Sequence, residues 1–133
     1  MKSQYLYTKT TVSLIRYHFV FCPRYKRKIF LIEGVEERFE YLTRKVCEKN
    51  GFEILYMECG EDYVHLFLSS PPQWSPSDIM NVIKSASSRP LRDEFPLLTA
   101  MPSLWTRNFF VSTADNVSNR AIQKYVKAQK NRL

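Results

Sequence analysis

The sequence predicts an α+β fold, an antiparallel four-stranded sheet with two helices on one face and a further helix at the C-terminal end. Three observations carry this. In EDYVHLFLSS, Glu61 to Ser70, apolar residues alternate at the period of a strand. Glu33–Gly51 and Ser75–Arg89 instead repeat apolar residues at helical spacing. Read along the chain, the elements run β-α-β-β-α-β-α, and the first six are the split βαβ, or ferredoxin-like, order.

Each element has its own signal. Residues 1–10 are polar and read as a flexible arm. Thr11–Pro23 is rich in β-branched and aromatic residues and reads as a strand. RYKRKIF follows, a basic cluster ending in an apolar pair. The helix of Glu33–Gly51 is led by acids, carries Val35, Phe39, Leu42 and Val46 as its stripe, and closes at Lys49-Asn50-Gly51. Phe52–Gly60 is a second strand, and Gly60-Glu61 turns it into the third, which makes a hairpin. The next helix starts with Ser75 as N-cap and Pro76 in its first turn, is striped by Ile79, Val82, Ile83 and Ala86, and is ended or kinked by Pro90. LRDEFPLLTAMPS reads as a loop, Leu104–Thr113 as the fourth strand, and 114–133 as the terminal helix, beginning near Asn116 or Ser118. Residues 1–133 form a single domain.

The composition sets limits. With 44% hydrophobic, 14% aromatic and 25% charged residues, the chain can bury a core and is not of the disordered class. A net charge of +7 suits a polyanionic partner, and nucleic acid is the usual one. Cys22, Cys47 and Cys59 form no CxxC, so neither zinc nor a disulfide framework is expected. The N-terminal segment lacks a signal peptide's apolar run, and no stretch approaches the roughly 18–20 apolar residues of a membrane span. These features predict a cytoplasmic protein with no membrane partner.

Chemistry gathers on one strand face. Val64, Leu66 and Leu68 point to a core; Tyr63, His65, Phe67 and Ser69 share the other side, which this topology leaves open. Such a face serves either RNA stacking or an active site. Phe19 and Tyr63 could act as stacking aromatics, but no segment has the aromatic-glycine signature of an RRM. On the last helix, Tyr125 and Gln129 lie four apart and share a face. His18 could approach the same place from the neighbouring central strand. Positive charge concentrates at Arg24, Lys26, Arg27 and Lys28, at Lys84 and Arg89, and along the last helix from Lys124, a pattern suited to phosphates.

Five segments in order resemble the small single-tyrosine HUH transposases of the insertion-sequence 200/605 type: RYHFVFCPRYKRKIF, YMECGEDYVHLFLS, IKSASSR, LWTRNFFVST and IQKYVKAQ. The resemblance covers nearly the whole chain. It implies that Tyr125 is a nucleophile that cleaves and rejoins single-stranded DNA through a 5′-phosphotyrosine. It implies a divalent ion, Mg²⁺ or Mn²⁺, held by His65 and Gln129, and a homodimer acting on DNA with a subterminal hairpin rather than on a small molecule. It implies too that the last helix of one subunit can complete the other's site, with ADNVS as the hinge. The sequence departs from the family's His-hydrophobe-His, because Tyr63-Val64-His65 puts a phenol where one histidine ligand is expected. Either Tyr63 still ligates, or the protein is a metal-impaired relative that binds DNA hairpins without cutting.

Overall fold

The computed structural model describes residues 4–129. The main sheet is antiparallel and contains β3 (Arg16–Phe21), β4 (Glu53–Cys59), β5 (Val64–Ser69) and β6 (Phe110–Ser112) in the spatial order β4-β5-β3-β6. Helices α1 (Val35–Asn50) and α2 (Pro76–Glu94) pack on one face, the short α3 (Pro96–Thr99) follows α2, and α4 (Asn119–Ala128) ends the described chain. This is the ferredoxin-like arrangement that the sequence predicts, with the sheet's first and third strands at its centre.

Alternation along the two central strands divides the molecule. Phe19 and Phe21 of β3 join Val64, Leu66 and Leu68 of β5 in a core closed by Phe39, Ile79, Ile83, Leu91 and Trp105. Each fully buried side chain of this size contributes about 1.5–3 kcal/mol. On the opposite face, Val20 and Cys22 form a second, smaller cluster with Ile122 and Val126 of α4. Phe19 therefore cannot serve as an RNA-stacking aromatic: it lies opposite Leu66 in the ladder, on the helix side, and is fully buried.

Element boundaries depart from expectation where side chains intervene. Part of the polar N-terminal segment is a hairpin, β1 (Leu6–Tyr7) with β2 (Val12–Ser13). Its turn closes through Thr8 N–H to Thr11 O at 2.9 Å and Thr11 N–H to Thr8 Oγ1 at 3.0 Å. The strand read over Thr11–Pro23 is thus split, and only Arg16–Phe21 enters the main sheet. Helix α1 closes on Gly51 at φ 78°, with Phe52 N–H bonded to Cys47 O at 2.9 Å. Pro90 does not end α2, which runs on to Glu94 because Leu91 is fully buried and Phe95 N–H bonds back to Leu91 O at 3.1 Å. Much of the expected loop is therefore helical. Residues 130–133 of the predicted terminal helix lie outside the described residues.

The fourth strand comes in two pieces. Arg24 N–H bonds to Leu104 O at 2.8 Å and Thr106 N–H to Cys22 O at 3.0 Å, which extends the pairing beyond β3. The Lys84 ammonium then donates to Thr106 O at 2.8 Å and Asn108 O at 2.9 Å, and the ladder resumes at Phe110. Lys84, expected to meet DNA, is turned to internal carbonyls in this structure. Burial lowers that ammonium to a pKa of about 8. An unfolded lysine keeps its proton to about pH 10.4, so unfolding takes up a proton between these values and the lysine's contribution to stability rises with pH. Lys84→Met is expected to cost about 1–3 kcal/mol by orphaning the two carbonyls. The gap in Tm between wild type and variant, followed by circular dichroism, should widen from about pH 7.5 to about pH 10; a gap that narrows would contradict this.

Candidate active site

The open face of the sheet holds two buried imidazoles. His18 on β3 and His65 on β5 are diagonal neighbours on one face, two residues apart in register, since His18 lies opposite Phe67 and His65 opposite Val20. His18 Nδ1 is 2.9 Å from His65 Nε2. The other nitrogen, His18 Nε2, is 3.2 Å from the carbonyl of Asp115, in the segment leading to α4. Phe67 stacks flat on His18, with ring centroids 3.9 Å apart and planes 4° from parallel. On the outer strand, Glu58 stands opposite His65 and accepts from Tyr56 Oη at 3.0 Å and from Tyr63 Oη at 3.4 Å. Burial, then the neighbouring His18, holds His65 below the usual imidazole range.

Tyr63 is engaged at its hydroxyl. It donates to Glu58 and has a hydrogen bond with Gln123 of α4. Burial first and the Glu58 carboxylate second raise its phenol above the ordinary tyrosine range. It therefore stays neutral, and a neutral phenol is a weak cation ligand.

The helix that carries Tyr125 is set by its own sequence. Ser118 caps it by accepting from Ala121 N–H at 3.1 Å, and Ile122 and Val126 anchor it on Val20 and Cys22. Tyr125 and Gln129 thus lie on the same sheet face as His65. Their polar atoms converge on Asn108 just before β6. Tyr125 Oη donates to Asn108 Oδ1 at 2.9 Å, Asn108 Nδ2 donates to Gln129 Oε1 at 2.8 Å, and Thr106 Oγ1 donates to Asn108 Oδ1 at 3.0 Å. Spacing did not single out Asn108. Its signal was chemical, an asparagine inside an otherwise apolar and aromatic strand pattern, where asparagine is depleted.

Of the expected ligand set, then, Tyr63 is turned to Glu58 and Gln129 to Asn108 within this chain, while His65 meets His18. The donors fit a divalent cation along one edge, because two imidazole nitrogens face each other beside a carboxylate. Among the described residues, Glu36, Glu40 and Cys59 also bring ligand atoms within 4.8 Å of one another. Cys59 packs on the helix-side core, the face opposite His65, and the cluster has no tyrosine. The cysteines are free, and burial raises the Cys22 and Cys47 thiols to about 12, which suits packing rather than nucleophilic chemistry.

The basic residues divide. Lys26 pairs with Asp62 at 3.2 Å and Lys28 with Glu61 at 3.5 Å, so both tie their loop to the β4–β5 turn. Arg24 Nη1 donates to Ser103 Oγ at 2.6 Å and lines an open recess with Ser85, Ser88 and Arg107. Arg27, Arg89 and Lys124 are exposed. Among the described residues no helix is long and apolar enough to cross a membrane.

A split βαβ sheet whose open face carries a strand histidine and a docked tyrosine helix has the build of a small tyrosine transposase. The chain belongs to the IS200-like transposase family, whose model matches residues 11–129. It is a DNA-processing enzyme of a family that generally uses a divalent metal. It is 30% identical over 118 residues to the ISDra2 transposase TnpA of Deinococcus radiodurans, covering 86% of this chain and 84% of that one. A crystal structure of a protein assigned as a transposase in D. radiodurans R1 superposes with a TM-score of 0.83 at 28% identity, covering 93% of this chain and 97% of that one. A REP-associated tyrosine transposase bound to a REP hairpin shares the fold, with a TM-score of 0.56 at 15% identity over 91% of this chain and 67% of that one.

Asn108→Ala removes the acceptor for Tyr125 and the donor to Gln129. The expected cost is about 1–2 kcal/mol, with faster amide exchange across α4 and unchanged exchange in β3 and β5. Exchange in α4 as slow as in wild type would show that Asn108 does not hold the helix.

Proposed function

We propose that the protein cleaves and rejoins single-stranded DNA with Tyr125 as nucleophile. The observation that carries this is the placement of Tyr125 and Gln129 on the same sheet face as His65, inside the segment that matches the family. The phenolic oxygen attacks the phosphorus of a phosphodiester, and the bond from phosphorus to O3′ breaks. The 5′ side is left esterified to Tyr125, the departing O3′ takes up a proton, and the phenol's proton passes to solvent. One phosphodiester is exchanged for another, so a 3′-OH can reverse the step without ATP. Asn108 Oδ1 is no base, and its part is to orient the hydroxyl.

A bound divalent ion would offset charge on the scissile phosphate. His65 would hold it, with Gln129 swung from Asn108 or supplied by a second copy. We read the working assembly as a homodimer in which α4 of one protomer can serve the His65 site of the other. Imidazole donors favour Mn²⁺ over Mg²⁺. The DNA would be a single strand with a subterminal hairpin, a reading supported by the hairpin bound to the REP-associated neighbour. Arg24, Arg27, Arg89 and Lys124 would meet phosphates directly, and Lys26 and Lys28 by exchanging Asp62 and Glu61 for them.

The neutral Tyr63 phenol favours one second reading, a relative that binds hairpins without cutting. The two separate on one gel. Incubating the protein with a single-stranded insertion-end oligonucleotide and Mn²⁺ should give a covalent adduct that survives denaturation and is lost in Tyr125→Phe. Tight hairpin binding with no adduct would establish the second reading. An adduct that persists in Tyr125→Phe would remove Tyr125 from the mechanism.

A further inference from the structure

We infer that His18 and His65 together form one edge of a transition-metal site, with His18 Nδ1 supplying the second imidazole ligand in place of Tyr63. The argument begins with the tautomer of His18. Its Nε2 faces the Asp115 carbonyl at 3.2 Å, and a carbonyl only accepts. The proton therefore sits on Nε2, and Nδ1 presents its lone pair. A ligating histidine typically donates its remote N–H to a carbonyl or carboxylate in this way.

Nδ1 lies 2.9 Å from His65 Nε2. With both rings neutral, two arrangements satisfy the contact. In one, His65 carries its proton on Nε2 and donates it to His18. In the other, both lone pairs face a shared cation that lies to one side of the line joining the two nitrogens. The spacing suits the second arrangement as well as the first, because adjacent ligands about 2.1 Å from an octahedral ion lie about 3.0 Å apart. The structure also keeps the rings in place. Phe67 stacks on His18, Tyr56 packs edge-on against His65 at 5.4 Å, and β3 and β5 are the two central strands. Glu58, opposite His65, adds negative charge on the same face.

Tyr63 meets none of these conditions. Its hydroxyl hydrogen is given to Glu58, and its phenol is neutral. Two imidazoles favour a borderline ion such as Zn²⁺, take Mn²⁺ in preference to Mg²⁺, and leave the remaining positions to water and phosphate oxygens. The use of the ion in DNA cleavage rests on the transposase reading, but its binding does not, so the test omits DNA.

Full-length protein is titrated with Mn²⁺, and the free ion is counted by electron paramagnetic resonance. His18→Phe keeps the stacking on Phe67 and removes the nitrogen. It should weaken Mn²⁺ binding about tenfold or more, as should His65→Phe, while Tyr63→Phe stays within about twofold of wild type. Thermal melts confirm that each variant is folded. As a measurement independent of variants, one equivalent of Zn²⁺ should shift the ¹⁵N resonances of both His18 Nδ1 and His65 Nε2 in the wild-type protein. A shift confined to His65, no binding by wild type, or a loss in Tyr63→Phe as large as in His18→Phe would overturn the assignment. Loss of the Tyr125 adduct with metal binding intact would instead count against the cleavage reading alone.

Discussion

The two-sidedness of β3 governs the rest of the molecule. Its residues alternate between a deep aromatic core and a shallower face: Tyr17, Phe19 and Phe21 go to the helices, His18 to His65 and Phe67, and Val20, with Cys22 just beyond the strand, to α4. A slip of one residue against β5 would bury the histidines among Phe39 and Trp105 and expose the phenylalanines. The large core on one side therefore fixes the position of the imidazoles on the other. Rigidity is achieved where few polar contacts are available to enforce it, because the register is set by apolar burial.

The smaller cluster does a different job. Ile122 and Val126 give α4 a small apolar footprint on Val20 and Cys22, with Tyr63, Phe110, Val117 and Tyr125 packed around it, and polar contacts add to this attachment. Asn108 joins Tyr125 to Gln129, and Lys84 holds the Asn108 backbone from beneath. A helix held by a small apolar cluster and a few hydrogen bonds can be shifted at lower cost than one buried in the main core. Tyr125 thus rides on a helix outside the main core, and the imidazoles on the two central strands.

Much of this was legible in the sequence. Period-two alternation in EDYVHLFLSS separated His65 from Leu66, and helical spacing put Tyr125 with Gln129 on one face. The misreadings share a physical cause, namely tertiary contacts that local pattern does not encode. Pro90 lies inside α2 because Leu91 is buried. The fourth strand is interrupted because Lys84, some twenty residues upstream, takes two of its carbonyls. Phe19 and His18 are neighbours in a run of mixed aromatics, and only the register with Leu66 and Phe67 tells which one faces the site. Asn108 could not be paired with Tyr125 from spacing, since the two meet only after α4 folds back over β3.

His18 links these regions through its two nitrogens. Nδ1 faces the histidine of β5, and Nε2 is held by Asp115 in the segment that joins β6 to α4. The Asp115 carbonyl is what fixes the proton on Nε2 and so leaves Nδ1 as an acceptor. If that segment moves when α4 is displaced, His18 loses the partner that sets its tautomer, and the lone pair directed at His65 is no longer guaranteed. Conversely, a charge held between the imidazoles polarises His18 and strengthens its bond to Asp115. His18 thus touches both the imidazole partner and the segment that leads into the tyrosine helix, although Tyr125 itself bonds to Asn108 on the β6 side.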